Sequence, residues 1–254
     1  MSEAKVAIVT GSSSGIGAST ALELSRRGWR VAINYTKSLQ QAGDITEQCA
    51  PEAIAVQADV ASDVDCKRLV QAALERWGRV DALVNNAGTT KFVAHAELDG
   101  LSADDFQRIY AVNVIGAFQM CRAAAAALRE ARGAVVNVGS LASRNAAGSS
   151  IAYAASKAAL NTVSMSLARV LAPEVRVNVV APGFVETSWM AEAYGDERYE
   201  RVRGAYANLA PLGSVAQPQD VAETIVWLIE GATQVTGQIV YVDGGMHVVP
   251  PRRT

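Results

Sequence analysis

The sequence is poor in the residues that anchor metals and disulfides. Its three cysteines, Cys49, Cys66 and Cys121, stand far apart with no C-x-x-C pair. An odd, scattered set argues against a disulfide framework and a thiolate metal site. There are two histidines, His95 and His247, so a zinc centre or a Ser-His-Asp triad would hang on one of them. His95 shares a loop with Glu97 and Asp99, and one histidine beside two acids is more often solvated surface than a metal site. Neither sign of charge dominates: 23 Lys+Arg face 25 Asp+Glu, a net −2. That removes the electrostatic case for nucleic acid or an anionic membrane as main partner. No apolar run approaches a bilayer span. The opening Met1-Ser2-Glu3-Ala4-Lys5 lacks the basic, apolar, small-residue order of an export signal. A soluble cytoplasmic protein is expected, with no linker, low-complexity tract or repeat to divide it.

What is present is enough for one large core. The chain has 254 residues, 50% hydrophobic and 19% charged, which excludes a solvated disordered chain. One α/β domain of this length can bury roughly 70–75% of its unfolded surface without staples. Short β-branched runs at 5–10, 30–34, 53–58, 82–85, 134–138, 176–180 and 238–242 are continuously apolar, as in parallel strands buried on both faces. Helix-period runs lie between them, near 15–27, 38–49, 62–76, 102–130, 151–171 and 218–230. Ser62 and Ser102 each precede an acid by three residues, a capping-box pattern, and Gly28 and Gly78 stand where helices end. Strand and helix alternating this way give a single-domain, Rossmann-type, doubly wound parallel sheet of about seven strands with helices on both faces. The stretch 184–216 breaks the rhythm with Trp189, Met190, Tyr194, Tyr199 and Tyr206. It follows a strand at the ligand-binding end of the sheet, and reads as a substrate lid or as surface helices packing aromatics on the body. These aromatics point to a partly apolar ligand.

Strand one runs into Thr10-Gly11-Ser12-Ser13-Ser14-Gly15-Ile16-Gly17 and then a helix. Gly11 can turn sharply, Gly15 lets backbone approach a pyrophosphate, and Gly17 lets the helix pack on the strand. With Ser13, Ser14 and Ile16 these form the phosphate end of a dinucleotide site at a helix N-terminus. The spacing is G-x-x-x-G-x-G rather than G-x-G-x-x-G, so a ligand-free glycine turn is the competing reading. Strand two ends in Asn34-Tyr35-Thr36-Lys37-Ser38, where an NAD site usually places a carboxylate. With none there to repel a 2′-phosphate, and Lys37 and Ser38 able to hold one, NADP(H) is favoured over NAD(H); a solvated loop lysine is as good a reading of Lys37 alone. Asp59-Val60 could meet the adenine edge or simply cap a helix. Asn85-Asn86-Ala87-Gly88 could offer backbone to a nucleotide or brace neighbouring strands.

Tyr153 and Lys157 lie four apart in a helix pattern and share a face. An ammonium beside a phenol favours the phenolate and lowers its pKa. A phenol so tuned can pass a proton to a forming alkoxide or take one from an alcohol, while a nicotinamide carries the hydride. Ser140 can hydrogen-bond the same substrate oxygen, and Asn113 can hold a water linked to Lys157. Singly, each is commonplace: Y-x-x-x-K pairs abound on helices, and Ser143, Ser149 and Ser150 lie near Ser140.

Taken in order, the chain resembles the short-chain dehydrogenase/reductase family, and its 3-oxoacyl-thioester-reductase-like branch, over nearly its whole length. T-G-x-x-x-G-x-G matches Thr10 to Gly17, N-N-A-G matches Asn85 to Gly88, and P-G matches Pro182-Gly183. The resemblance implies that Asn113, Ser140, Tyr153 and Lys157 are the catalytic set. It implies that Asn86, Ala87, Gly88, Pro182, Gly183, Val185 and Thr187 line the cofactor, the last two at the nicotinamide carboxamide. It also implies a homotetramer or homodimer built through the two long helices and the last strand. A dinucleotide-binding regulator with little turnover and a nucleotide-sugar epimerase are the competing readings. The intact tetrad counts against the first, and the glycine spacing and short C-terminal part against the second. The tail 246–254 matches no family motif.

Overall fold

The computed structural model describes residues 4–50 and 52–248, with all side chains there except those of 192–194. Seven parallel strands form one sheet: β1 (Val6–Val9), β2 (Arg30–Tyr35), β3 (Ala53–Gln57), β4 (Ala82–Asn85), β5 (Ala134–Val138), β6 (Arg176–Pro182) and β7 (Ile239–Val242), in the order 3-2-1-4-5-6-7. The order reverses between β1 and β4, and ligands bind at the carboxyl edge beside such a switch. Successive side chains of β1 face opposite ways. Val6 and Ile8 enter one core layer, with Leu69, Met120, Leu128 and Leu171. Ala7 and Val9 enter the other, with Leu24, Ile33, Ile225 and Leu228. Helices α3 (Asp63–Trp77), α5 (Ala117–Ala131) and α7 (Ile151–Leu171) supply the first layer; α1 (Gly15–Arg26), α2 (Leu39–Gln48) and α10 (Pro218–Glu230) supply the second.

The expected elements are present with ends shifted by one or two residues, and local chemistry explains several ends. Ser102 and Asp105 complete a reciprocal capping box at α4 (Ala103–Tyr110). Ser62 accepts from Asp65 N, but the Asp65 carboxylate turns to Asp59 N, so only half the box forms at α3. Gly78 closes α3 in the left-handed region, φ 74°. The structure departs from expectation in three places. The two edge strands β3 and β7 are only partly buried, because each pairs on one side alone. The long helix expected over 102–130 is not uniform: α4 and α5 are joined by a wide π-turn, Ala111–Gly116. That continuous stretch, Ala103–Ala131, is also long and apolar enough to cross a membrane, contrary to the expectation of no such run; half of its apolar window is buried inside the fold.

Residues 184–216 hold two helices, α8 (Ser188–Tyr194) and α9 (Asp196–Leu209). Tyr206 stacks on Phe184 at 5.0 Å between centroids, fastening α9 to the end of β6. Trp189 instead meets Phe92, across the loop after β4, edge-on at 5.9 Å. A short α6 (Ala142–Asn145) follows β5, and a single 3-10 turn, Met246–Val248, follows β7. The rest of the expected tail, 249–254, lies outside the described residues.

Candidate active site

The glycine-rich loop after β1 is gripped from both sides. Gly11 N donates to Asn34 Oδ1 at 3.0 Å, and Asn34 N donates to Ser12 Oγ at 3.0 Å. From the other side, Asn86 Nδ2 donates to Thr10 O at 3.0 Å and Gly11 O at 2.9 Å, while Thr10 Oγ1 accepts from Asn86 N and Ala87 N. Gly17 permits this closeness: a Cβ there would run into Gly11 O and stand 2.5 Å from Asn86 Nδ2. Gly11 and Gly15 sit at φ 60° and 56°, which favours glycine. Ser14 opens α1 without a side-chain cap bond and no acid lies in the first turn, so the helix N-terminus keeps its donors for an anion. Ser13 is half-buried and Ser14 exposed beside it.

Asn34 is 1% exposed, and its amide also donates to Ala58 O at 2.9 Å. Its side-chain hydrogen bonds are engaged in holding Gly11 and the end of β3. Val60 is likewise buried, its carbonyl taking Gln119 Nε2 at 2.9 Å. Asp59 is exposed, but its Oδ1 accepts from Ala61 N. Past the buried Tyr35, Thr36 and Lys37 are exposed and Ser38 half-buried. Lys37 makes no ion pair among the described residues.

The expected catalytic residues lie against this loop. Lys157 Nζ donates to Val138 O at 2.7 Å, at the end of β5. A Cβ on Gly88 would stand 3.7 Å from that nitrogen and 3.5 Å from Asn113 Oδ1. Asn113 sits in the π-turn. Its Oδ1 accepts from Thr89 N at 2.8 Å, and its Nδ2 donates to Thr89 O at 3.0 Å and Ser156 Oγ at 3.0 Å. Regular helix would carry this amide elsewhere; wide turns of this kind recur at functional sites. Ser150 caps α7 by accepting from Tyr153 N at 3.3 Å. Thr187 Cγ2 lies 3.4 Å from a Cβ on Gly15, so the segment after β6 packs over the glycine-rich loop. Leu141 N donates to Pro182 O at 2.8 Å, and Gly183 allows Asp243 close approach. Val185 is buried and pairs with Ala216, anchoring the start of the 184–216 segment.

The electrostatics differ from the simple phenol–lysine picture. Burial brings the Lys157 amine down to about 8. Burial pushes the Tyr153 phenol up, with the Ser140 side chain hydrogen-bonding against that rise. Lys157 Nζ stands 5.7 Å from the ring centroid. In the chain by itself the phenol thus lies above its ordinary value, with burial raising it and the Ser140 hydrogen bond opposing the rise.

The four expected catalytic side chains thus come from the loop after β5, from α7 and from the π-turn. Thr10 and Ser156 were not singled out from the sequence. Thr10 was visible only as the first letter of the glycine motif, and Ser156 only as one small residue among many in α7. His95, Glu97 and Asp99 are exposed, and the described residues contain no cluster of three or more possible metal ligands.

Comparison with known proteins gives a consistent result. A family model described as Enoyl-(Acyl carrier protein) reductase matches residues 11–247. A protein of Streptomyces violaceoruber, described as a ketoacyl reductase of granaticin polyketide synthase, is 42% identical over 248 residues, covering 97% of this chain and 98% of its own. The 3-oxoacyl-[acyl-carrier-protein] reductase of Synechocystis is 36% identical over 250 residues, covering 96% and 97%. A solved Burkholderia xenovorans structure assigned to the short-chain dehydrogenases/reductases aligns with TM-score 0.91 and 40% identity, covering 98% of this chain and all of that one.

Proposed function

Since this chain belongs to the short-chain dehydrogenase/reductase family, within its 3-oxoacyl-thioester-reductase-like branch, we propose that this oxidoreductase interconverts a carbonyl and a secondary alcohol with NADP(H), using Tyr153 as acid and base. The observation that carries the reading is the meeting of two ends: Gly88, beside the phosphate loop, packs against Lys157 and Asn113. The loop fits a dinucleotide, because Gly11 and Gly17 let it fold tightly against Ala87 and Asn86 and the α1 N-terminus is uncapped. Gly11, Ser13, Ser14, Gly15, Ile16 and Gly17 would hold the pyrophosphate, Lys37 and Ser38 the 2′-phosphate, and Val185 and Thr187 the carboxamide. When bound, the nicotinamide supplies or takes the hydride.

In reduction, Ser140 donates to the carbonyl oxygen and Tyr153 passes its phenolic proton to the forming alkoxide. Lys157 favours the phenolate left behind, its amine held by Val138 O. Asn113 fixes Thr89 and, through Ser156, the catalytic helix. In oxidation the same groups take the proton back. The substrate class is 3-oxoacyl thioesters and related apolar ketones, taken through a lid formed by α8 and α9.

The same reading makes the chain a single catalytic domain that assembles as a homotetramer or homodimer. Ile115, Phe118, Met165 and Val170 are exposed on the long helices. Leu212 and Trp227 line an open hollow of about 550 Å³ with β7 residue Val242. Three free thiols, two of them buried, suit a reducing cytoplasm. The test is a panel of 3-oxoacyl thioesters, ketones, sugars and steroids followed by NADPH absorbance. Turnover of a ketone class, lost in Tyr153→Phe with cofactor binding retained, is expected; undiminished turnover in that variant refutes the role of Tyr153.

A further inference from the structure

The loop carrying Ser140 is held by a buried side-chain relay that starts on the catalytic helix. Asn161, one turn beyond Lys157 on α7, is 8% exposed. Its Nδ2 donates to Ser143 Oγ at 2.9 Å. Ser143 Oγ donates in turn to Ser140 O at 2.6 Å. Ser140 Oγ accepts from Ala142 N at 3.1 Å, which occupies a lone pair and leaves its proton to be given elsewhere. Backbone bonds tie the same loop to β6, Gly139 N to Val180 O at 2.7 Å and Leu141 N to Pro182 O at 2.8 Å.

One detail sets Asn161 apart from a packing residue. Its Oδ1 is buried with no hydrogen-bond partner. An unpaired buried acceptor is costly, and a leucine of similar size would fill the space without that cost. The amide is therefore retained for its single donated bond, and that bond leads to Ser140.

We propose that Asn161 and Ser143 are positioning residues, which together fix the Ser140 hydroxyl on the reacting oxygen and on Tyr153. This rests on the reading of Ser140 and Tyr153 given above. Among the described residues, Lys157 faces the Tyr153 ring from its own helix, 5.7 Å from the centroid, and Ser140 faces it from the loop after β5. Gly148 flanks the ring with no titratable group. Before substrate binds, a Ser140 hydroxyl donating to the phenolate favours the charged form. Loss of the relay removes that donor, so the pH at which alcohol oxidation switches on rises.

The experiment compares Asn161→Leu, Ser143→Ala, Ser143→Thr and the Asn161→Leu/Ser143→Ala double variant. For Asn161→Leu and Ser143→Ala we expect kcat roughly three- to tenfold lower, with KM for NADPH unchanged and the melting temperature kept. The oxidation pH profile should move up by about half to one unit. The double variant should be no worse than either single change, and Ser143→Thr, which keeps the hydroxyl, should restore rate and profile. A crystal structure of Asn161→Leu should show Ser140 Oγ turned from Tyr153. An unmoved profile, or a kcat loss that only tracks lost folding, overturns the proposal, as does an unmoved Ser140 in that crystal. Retained turnover in Tyr153→Phe would instead refute the acid–base reading, and the Ser140 orientation would still decide the relay.

Discussion

Lys157 donates its amine to Val138 O at 2.7 Å, so α7 is tied to the end of β5 by a buried cation. The tie is bought with stability. Burial lowers the amine from 10.5 to about 8, so the folded state disfavours the charged form. For such a depressed lysine the penalty is full below pH 8, shrinks as pH rises, and vanishes above the unfolded value near 10.5. At about 1.4 kcal/mol per unit this is of order 3 kcal/mol. Lys157→Met should lack this gain between pH 8 and 10.5 while losing turnover. Urea unfolding of both proteins at pH 7 and pH 10 reads the difference; parallel curves would refute the assignment.

Gly17 should accept no side chain. Gly17→Ala places a methyl against Gly11 O and Asn86 Nδ2, neither of which can retreat without opening the loop. Overpacking of this kind costs about 1–3 kcal/mol. We expect a lower melting temperature and loss of NADPH binding by calorimetry; unimpaired binding would mean that the loop is not the phosphate cradle.

Lys37 tests cofactor choice without disturbing the fold, since it is exposed and makes no ion pair among the described residues. Lys37→Ala should weaken NADPH about tenfold, roughly 1.4 kcal/mol, and leave NADH unchanged. Equal losses for both would remove the 2′-phosphate contact from the reading.

Trp189 is 45% exposed yet meets Phe92 edge-on, linking α8 to the loop held by Asn113. If this pair covers bound substrate, Trp189→Ala should raise KM for apolar ketones by roughly three- to tenfold, with NADPH affinity kept. Steady-state kinetics on short and long ketones checks it; a KM insensitive to the change places the lid elsewhere.

Much of this was legible in the sequence because parallel strands carry continuous apolar runs and helices carry caps. Ser102 with Asp105, and Gly78 after α3, mark their helix ends as the residues suggest. The sheet edges were less legible, since whether a strand has one neighbour or two depends on topology. Asn34 reads as a ligand contact because its place in the motif is local, whereas its partners Gly11, Val56 and Ala58 come from two distant segments, the glycine loop and the end of β3. The upward shift of Tyr153 was hidden for a similar reason. Spacing places Lys157 near the ring, but only the packed fold sets how much water remains. The π-turn was not legible, because the weak helix formers in Ala-Val-Asn-Val-Ile-Gly do not by themselves distinguish a wide turn from regular helix.

That turn has a consequence for how the site could be lost. A regular α-helix advances about 100° per residue, and one wide turn absorbs an additional residue while Ile109 before it and Met120 after it stay in the core. Removing one residue between 111 and 116 should let the backbone run on as uninterrupted α-helix, with both flanking faces still inward and Thr89 released. Such a shortened chain should melt near the parent temperature and turn over almost nothing, which would make the scaffold and its chemistry separable by a single codon.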